Sequence, residues 1–116
     1  MSAFELERQE TDDPHLVHVT VVGELDLTNA RELEDRLETL TGDDSSILVL
    51  DLNRVVFIDS AALHVLFRTA RRIGRARFAV VCAPEVPIAR TLRIVGLEAA
   101  AVVGESADAV LPALRR

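Results

Sequence analysis

The stretch from residue 47 to residue 52 limits the possible folds of this chain more than any other segment. It reads Ile-Leu-Val-Leu-Asp-Leu, so apolar side chains would point to both faces of a strand. Strands of this kind are typical of the centre of a parallel sheet, where both faces are covered. Residues 77–81 and 99–103 are predicted to be further strands, and helical patterns separate all three. This alternation predicts an α/β domain with parallel strands and right-handed crossovers.

Two strands are predicted before the alternating part of the chain. Residues 4–9 alternate apolar and polar side chains, and residues 15–22 are rich in β-branched residues. The Asp-Asp-Pro sequence between them indicates a turn, so a hairpin is expected here. Its second strand is expected to end at Gly23. Because His15 and His18 have no second ligand at a metal-binding spacing, both are expected at the surface.

Capping residues indicate where the predicted helices begin and end. Thr28 or Asn29 is expected to cap the first helix, and Asn29 with Glu32 three residues later resembles a capping box. The next helix is expected to end at Gly74, because glycine readily adopts the conformation that terminates a helix. Ser106 is expected to cap a final helix.

Composition and charge exclude several classes of protein. Residues 1–60 carry 15 acidic residues against 4 arginines, and residues 61–116 carry 9 arginines against 4 acidic residues. The net charge of −6 argues against nucleic acid as a partner, since binding phosphates needs a clustered basic surface. The single cysteine, Cys82, allows no internal disulfide and is expected to be buried. No apolar stretch is long enough to span a membrane and no signal peptide is visible, so a cytoplasmic protein is expected.

The sequence around Ser60 offers the best candidate for a functional site. An apolar run ends at Asp59 and a helical pattern begins at once, which places Ser60 at a helix N-terminus with unpaired backbone N–H groups. Ser60 could cap the helix, act as a nucleophile or accept a phosphate. A serine hydrolase needs a glycine two residues to either side, but Ile58 and Ala62 stand there. His64 lies one turn further along and is poorly placed to take the serine proton, so the cap and acceptor roles remain.

Three motifs in order resemble one known family. They are Gly-Glu-Leu-Asp at residues 23–26, the strand at residues 47–52, and Phe-Ile-Asp-Ser-Ala-Ala-Leu at residues 57–63. Together with a Gly-Leu pair at residues 96–97, they are similar to a STAS domain of the anti-sigma factor antagonist type. The resemblance covers residues 4–114 of a single domain expected over residues 1–116. It implies an α/β fold with a mixed, mostly parallel sheet of four to five strands and about four helices packed mainly on one side.

The resemblance also implies a function and its site. Such proteins bind an anti-sigma factor, which is also a serine kinase, and thereby release a sigma factor for transcription. The kinase phosphorylates the serine that matches Ser60, and a PP2C-type phosphatase reverses the reaction. Asp59 matches the aspartate before that serine, and Asp26 an acidic residue of the nearby strand-to-helix loop. The domain itself is not an enzyme, and no catalytic residue, cofactor or metal is expected.

The match has one departure from the family pattern. The family has a second hydroxyl residue and a glycine after the serine, where this chain has Ala61 and Ala62. Ser60 is therefore the single acceptor expected in the motif. The partner-binding residues are predicted to be Asp26, Asp59, Ser60, Ala61, Ala62 and His64.

Two other functions remain open for a chain of this family. One is a STAS subunit of a lipid-transport complex, and the other is a subunit of a stressosome-like signalling complex. In both, the domain would be a non-catalytic interaction module whose serine need not be phosphorylated. The chain is expected to be a monomer or a weak dimer.

Overall fold

The computed structural model describes residues 4–115, and within them strands and helices alternate after an N-terminal hairpin. Strands β1 to β5 span Phe4–Gln9, Leu16–Leu25, Ile47–Ile58, Phe78–Val81 and Val102–Gly104. Helices α1 to α4 span Ala30–Leu40, Ser60–Ile73, Ala89–Ile94 and Ala107–Val110. Short 3-10 turns occupy Arg75–Arg77, Leu97–Ala99 and Leu111–Ala113.

The five strands form one sheet in the order β1-β2-β3-β4-β5. β1 runs antiparallel to β2, and the three remaining pairs are parallel. Each parallel pair is joined through a helix, as the continuous apolar strands predicted. The predicted α/β fold with a mixed, mostly parallel sheet is therefore confirmed.

The helices divide unequally between the two faces of the sheet. The larger core contains Leu50 of β3 together with Leu33 of α1, Leu66 of α2 and side chains of α3. The neighbouring residue in β3, Val49, points to the other face and belongs to a smaller cluster with Val110 of α4. Burying one such leucine stabilises the fold by about 1.5–3 kcal/mol. The face covered by three helices buries more apolar side chains than the other face, so it contributes more of the hydrophobic stabilisation. This confirms that the helices pack mainly on one side.

Strands β2 and β3 both run further than the sequence predicted. Gly23 does not end β2, which continues to Leu25. Gly23 adopts a φ of 118°, a value open to glycine but not to other residues without strain, and the strand passes through it. β3 continues to Ile58, although its last pair with β4 is at Asp51. Residues 52–58 therefore extend beyond β4 and pair with β2 alone.

His15, which precedes β2, and His18 of β2 were both wrongly expected at the surface. His15 is half-buried, and its Nδ1 lies 2.8 Å from the hydroxyl of Ser45. His18 is half-buried on the face opposite the larger core, and its Nε2 is buried without a hydrogen-bond partner. Cys82 is buried as predicted, and this burial raises the pKa of its thiol. None of the helices between residues 4 and 115 is long and apolar enough to cross a membrane.

Candidate functional site

Asp59 holds the N-cap position of α2, so the capping role that the sequence left open for Ser60 belongs to its neighbour. Its backbone is extended, and its Oδ1 accepts a hydrogen bond from the amide of Ala62 at 3.1 Å. Its Oδ2 accepts a second bond, at 3.0 Å, from the amide of Leu27 in the loop between β2 and α1. One carboxylate therefore closes the helix N-terminus and fastens a second loop to it.

Ser60 is the first residue of α2, and its side chain is exposed. Because Asp59 makes the cap bond, the Ser60 hydroxyl has no hydrogen-bond partner within residues 4–115. It lies beside the first turn of the helix, where N–H groups point outward and the helix dipole favours negative charge. The hydroxyl can therefore be reached by a modifying enzyme, and a phosphate placed there would meet a favourable local field.

The loop between β2 and α1 is held by its own side chains. Asp26 accepts bonds from the amide and the hydroxyl of Thr28, at 2.9 and 2.5 Å. Asn29 accepts from the Asp26 amide at 3.0 Å and donates to the Glu24 carbonyl at 2.9 Å. The predicted capping box is therefore wrong: Asn29 is the N-cap residue of α1, but its side chain bonds back into the loop and caps no helical amide. These bonds lie within the loop, and the bond between Asp59 and the Leu27 amide fastens the loop to α2.

The predicted site residues around the N-terminus of α2 differ in how far they are buried. Asp26 is half-buried in the loop that Asp59 fastens, Ala61 is half-buried, and His64 is exposed on α2 one turn after Ser60. Ala62 is fully buried in the main core, so its side chain supports the helix from beneath. Ser60, Ala61 and His64 thus share the outer surface of α2.

A groove runs from this site between α1 and α2. It encloses about 530 Å³, and its walls include Leu27, Ala61 and His64. Further along, Arg68 of α2 donates two hydrogen bonds to the Glu34 carboxylate of α1, at 2.7 and 3.0 Å. These bonds hold the pKa of Glu34 below its usual value. The ion pair bridges the groove between the two helices.

Sequence reasoning missed the apolar residues around the site. Leu27, Val56 and Phe57 are large, apolar and exposed, and all three lie close to Asp59 along the chain or through its hydrogen bonds. The available signal was that Val56 and Phe57 are consecutive apolar residues directly before Ile58 and Asp59, where a regular strand would bury only one of the two. The Arg68–Glu34 pair was also missed, because its partners are far apart in sequence.

The fold and the exposed serine at the start of α2 define a small α/β domain with a candidate modification site. The STAS domain family profile matches residues 5–107, and the chain belongs to this family. Over 81 residues, it is 33% identical to the anti-sigma-F factor antagonist RsfB of Mycobacterium tuberculosis, a match that covers 69% of this chain and 66% of that protein. The chain therefore matches slightly less than two thirds of the length of this relative.

Solved structures show the same fold. An anti-sigma factor antagonist from Mycobacterium paratuberculosis superposes with a TM-score of 0.82 at 27% identity, covering 97% of this chain and 95% of that one. The anti-sigma factor antagonist SpoIIAA in its unphosphorylated form superposes with a TM-score of 0.64 at 18% identity, covering 92% of each chain. The second similarity supports the fold alone.

Proposed function

We propose that this protein is an anti-sigma factor antagonist that binds its partner when Ser60 is unmodified and releases it when Ser60 is phosphorylated. One observation carries the proposal: the Ser60 hydroxyl is exposed and unbonded at the first residue of α2. The names of the similar proteins support the partner class, since RsfB and the paratuberculosis protein are anti-sigma factor antagonists. The protein would thereby regulate transcription that depends on a sigma factor.

Phosphorylation would change the surface of the domain and leave its fold intact. A phosphate adds about −1.5 to −2 charges at neutral pH. It gains about 0.3–1 kcal/mol from the dipole and free N–H groups of α2, and Asp59 opposes it by like-charge repulsion. Both electrostatic effects are small and act only near the N-terminus of α2, so the fold should stay intact. A partner packed on Ser60 would instead meet a bulky dianion, so binding falls without unfolding.

The other components follow from this mechanism. The anti-sigma factor supplies the serine kinase activity, and a PP2C-type phosphatase removes the phosphate, so the domain itself needs no catalytic residue or cofactor. Asp26, Asp59, Ala61 and His64 surround the acceptor as partner contacts, with Ala62 beneath them. Residues 1–116 act as one domain, a cytoplasmic monomer or weak dimer without nucleic acid as a partner.

The proposal is tested by phosphorylation and by binding. With ATP and the anti-sigma kinase encoded in the same genome, the protein should gain the mass of one phosphate, and the Ser60→Ala variant should gain none. In calorimetric titrations against that kinase, Ser60→Ala should bind like the unmodified protein. Ser60→Asp should bind about tenfold more weakly or worse, because an added charge meets the packed partner.

Ser106→Asp provides the matched control for added charge. Ser106 caps α4, which packs on the opposite face of the sheet, and aspartate is an equally good N-cap. This variant should bind the kinase normally. Equal affinities of Ser60→Asp and Ser106→Asp would contradict the switch, and a failure to accept phosphate would favour a non-phosphorylated interaction module instead.

A further inference from the structure

A small cavity opens at the carboxyl ends of strands β4 and β5. It encloses about 220 Å³ and lies between the loop after β4, helix α3 and the residues that end β5. It shares no lining residue with the groove between α1 and α2. Concave, mainly apolar spaces beyond the carboxyl ends of parallel strands are common ligand sites in α/β proteins. The cavity is therefore a second candidate site, apart from Ser60.

The inner wall of the cavity is apolar and belongs to the packed core. Leu92 of α3, Leu97 of the turn after it and Cys82 after β4 all line the cavity and are buried. An apolar cavity of about 150 Å³ is known to hold a benzene molecule in another protein. A cavity of about 220 Å³ therefore has room for a branched aliphatic group such as the side chain of leucine.

Three charged residues also line the cavity, and they carry both signs. They are Arg93 of α3, Glu98 of the turn after α3 and Glu105 after β5, and all three are exposed. Within residues 4–115, their charged groups take part in no ion pair and no side-chain hydrogen bond. An apolar space thus adjoins one unpaired cation and two unpaired carboxylates. A ligand that complements this site would carry both charges itself.

This combination limits the chemistry of the ligand. An apolar carboxylic acid could pair with Arg93 but would bring a like charge towards Glu98 and Glu105. An apolar amine could pair with either glutamate but would leave Arg93 unused. A nucleotide would bring several negative charges to a site where carboxylates outnumber the arginine, and it would exceed the volume of the cavity. A small zwitterion with an aliphatic group satisfies both signs of charge and the apolar wall.

We propose that this cavity binds a free aliphatic α-amino acid of the size of leucine. The aliphatic side chain would lie against Leu92 and Leu97, the carboxylate would pair with Arg93, and the ammonium group would pair with Glu98 or Glu105. Hydrogen bonds between charged groups are stronger than neutral ones, and here they would fix the orientation of the ligand. A ligand this small should bind with a dissociation constant on the order of 0.1–1 mM. The inference does not depend on the proposed function.

A series of ligands tests each part of the proposal. L-Leucine, titrated into the ¹⁵N-labelled full-length protein, should shift the amide resonances of Cys82 and Gly104 and saturate. 4-Methylpentanoate keeps the carbon skeleton but lacks the ammonium group, 3-methylbutylamine lacks the carboxylate, and glycine lacks the side chain. Each should bind about tenfold more weakly than leucine or worse, because one group of the site loses its partner. Equal affinity of leucine and 4-methylpentanoate would overturn the assignment to an amino acid.

Variants that remove one charge assign the two ends of the ligand. Arg93→Gln should weaken leucine binding about tenfold and leave the binding of 3-methylbutylamine unchanged, because the amine has no carboxylate. The double variant Glu98→Gln, Glu105→Gln should weaken leucine binding about tenfold without weakening that of 4-methylpentanoate. The matched controls are Arg90→Gln and Glu85→Gln, which remove exposed charges outside the cavity and should change the affinity less than twofold. Variants that bind leucine as the controls do would overturn the proposed charge pairing.

Cys82 gives an independent measurement, because it is the single cysteine of the chain and lines the cavity. Its alkylation by iodoacetamide can be followed by mass spectrometry. Saturating leucine should slow this reaction about threefold or more, and glycine at the same concentration should not. An unchanged rate would mean that leucine does not enter the cavity.

The outcomes keep this proposal separate from the phosphorylation switch. Ser60→Asp should bind leucine as the unaltered protein does, since Ser60 does not line the cavity. If leucine at about 10 mM shifts no resonance while Ser60 still controls kinase binding, the cavity proposal fails and the switch stands. If leucine binds but the protein neither binds the kinase nor accepts phosphate, the proposed function fails and the amino acid site stands.

Discussion

The N-termini of α1 and α2 follow equivalent paths from parallel strands, yet they use their polar side chains differently. At α1, the N-cap residue Asn29 is 4% exposed and bonds inward to Asp26 and Glu24. At α2, Asp59 makes the cap bond and leaves the neighbouring Ser60 exposed and unbonded. The first end stabilises a loop, and the second presents a hydroxyl.

This difference indicates how one strand-to-helix design can serve two purposes. A buried amide that satisfies two backbone groups is costly to remove, because those groups lose their partners without gaining water. An exposed hydroxyl with no partner can be modified or replaced with little effect on the fold. Asp59 lies between these extremes, since it contributes to stability and also holds the α1 loop beside Ser60. The comparison can be tested by substitutions at each of the three positions.

Replacing Asn29 should have the largest effect on stability. Asn29→Ala leaves the Asp26 amide and the Glu24 carbonyl without their side-chain partner at a buried position beneath the loop, so the free energy of unfolding should fall by about 1–3 kcal/mol. Urea denaturation measures this loss. Thr28→Ala is the control, because Thr28 is exposed, and its loss should cost less than about 0.5 kcal/mol. Equal losses in the two variants would show that the inward bonds of Asn29 do not hold the loop.

Replacing Asp59 should have an intermediate effect. Asp59→Ala removes the cap and the bond to Leu27, so stability should fall by about 1–2 kcal/mol. Asp59→Asn can still cap Ala62 but presents an NH₂ group towards the Leu27 amide, so hydrogen exchange at Leu27 should accelerate while α2 stays protected. Ser106→Ala, which removes a single cap bond from α4, gives the cost of capping alone. Unchanged exchange at Leu27 in Asp59→Asn would contradict the link between the two loops.

Replacing Ser60 should have the smallest effect on stability. Ser60→Ala removes no hydrogen bond and introduces a residue that favours the helix, so the free energy of unfolding should change by less than about 0.5 kcal/mol. Thermal and urea unfolding measure it against the Asp59 variants. A loss above about 1 kcal/mol would mean that the hydroxyl stabilises the fold, and the contrast between the two helix ends would weaken.

The strands and helices could be predicted largely from short segments. Residues 47–52 indicated a central strand because their apolar side chains required cover on both faces. Ser60 was correctly expected at a helix start because an apolar run gives way there to a helical pattern. Ser106 was correctly expected to cap α4, since the bond involves residues only three positions apart. In each case the signal and its cause lie within a few residues.

The errors concern residues for which the sequence pattern allows more than one partner. Gly23 was expected to end β2, but the extension of β3 offers a partner strand on which β2 continues. Asn29 was expected to cap α1 with its side chain. The side chain bonds instead to the backbone amide of Asp26 and the backbone carbonyl of Glu24. Propensity and spacing describe what a residue can do, and tertiary contacts decide which option is used.

Local apolar patterns in the chain were enough to predict an α/β fold with a mostly parallel sheet and to place Ser60 at the start of a helix. The folded structure was needed to show that Asp59 caps this helix and joins it to the Leu27 loop, so that the Ser60 hydroxyl stays free. It also decided that Val56 and Phe57 both face outward, because β3 shifts its register against β2 at Val56. The physical reason is that hydrogen-bond partners and burial are set by elements that meet only in the folded chain.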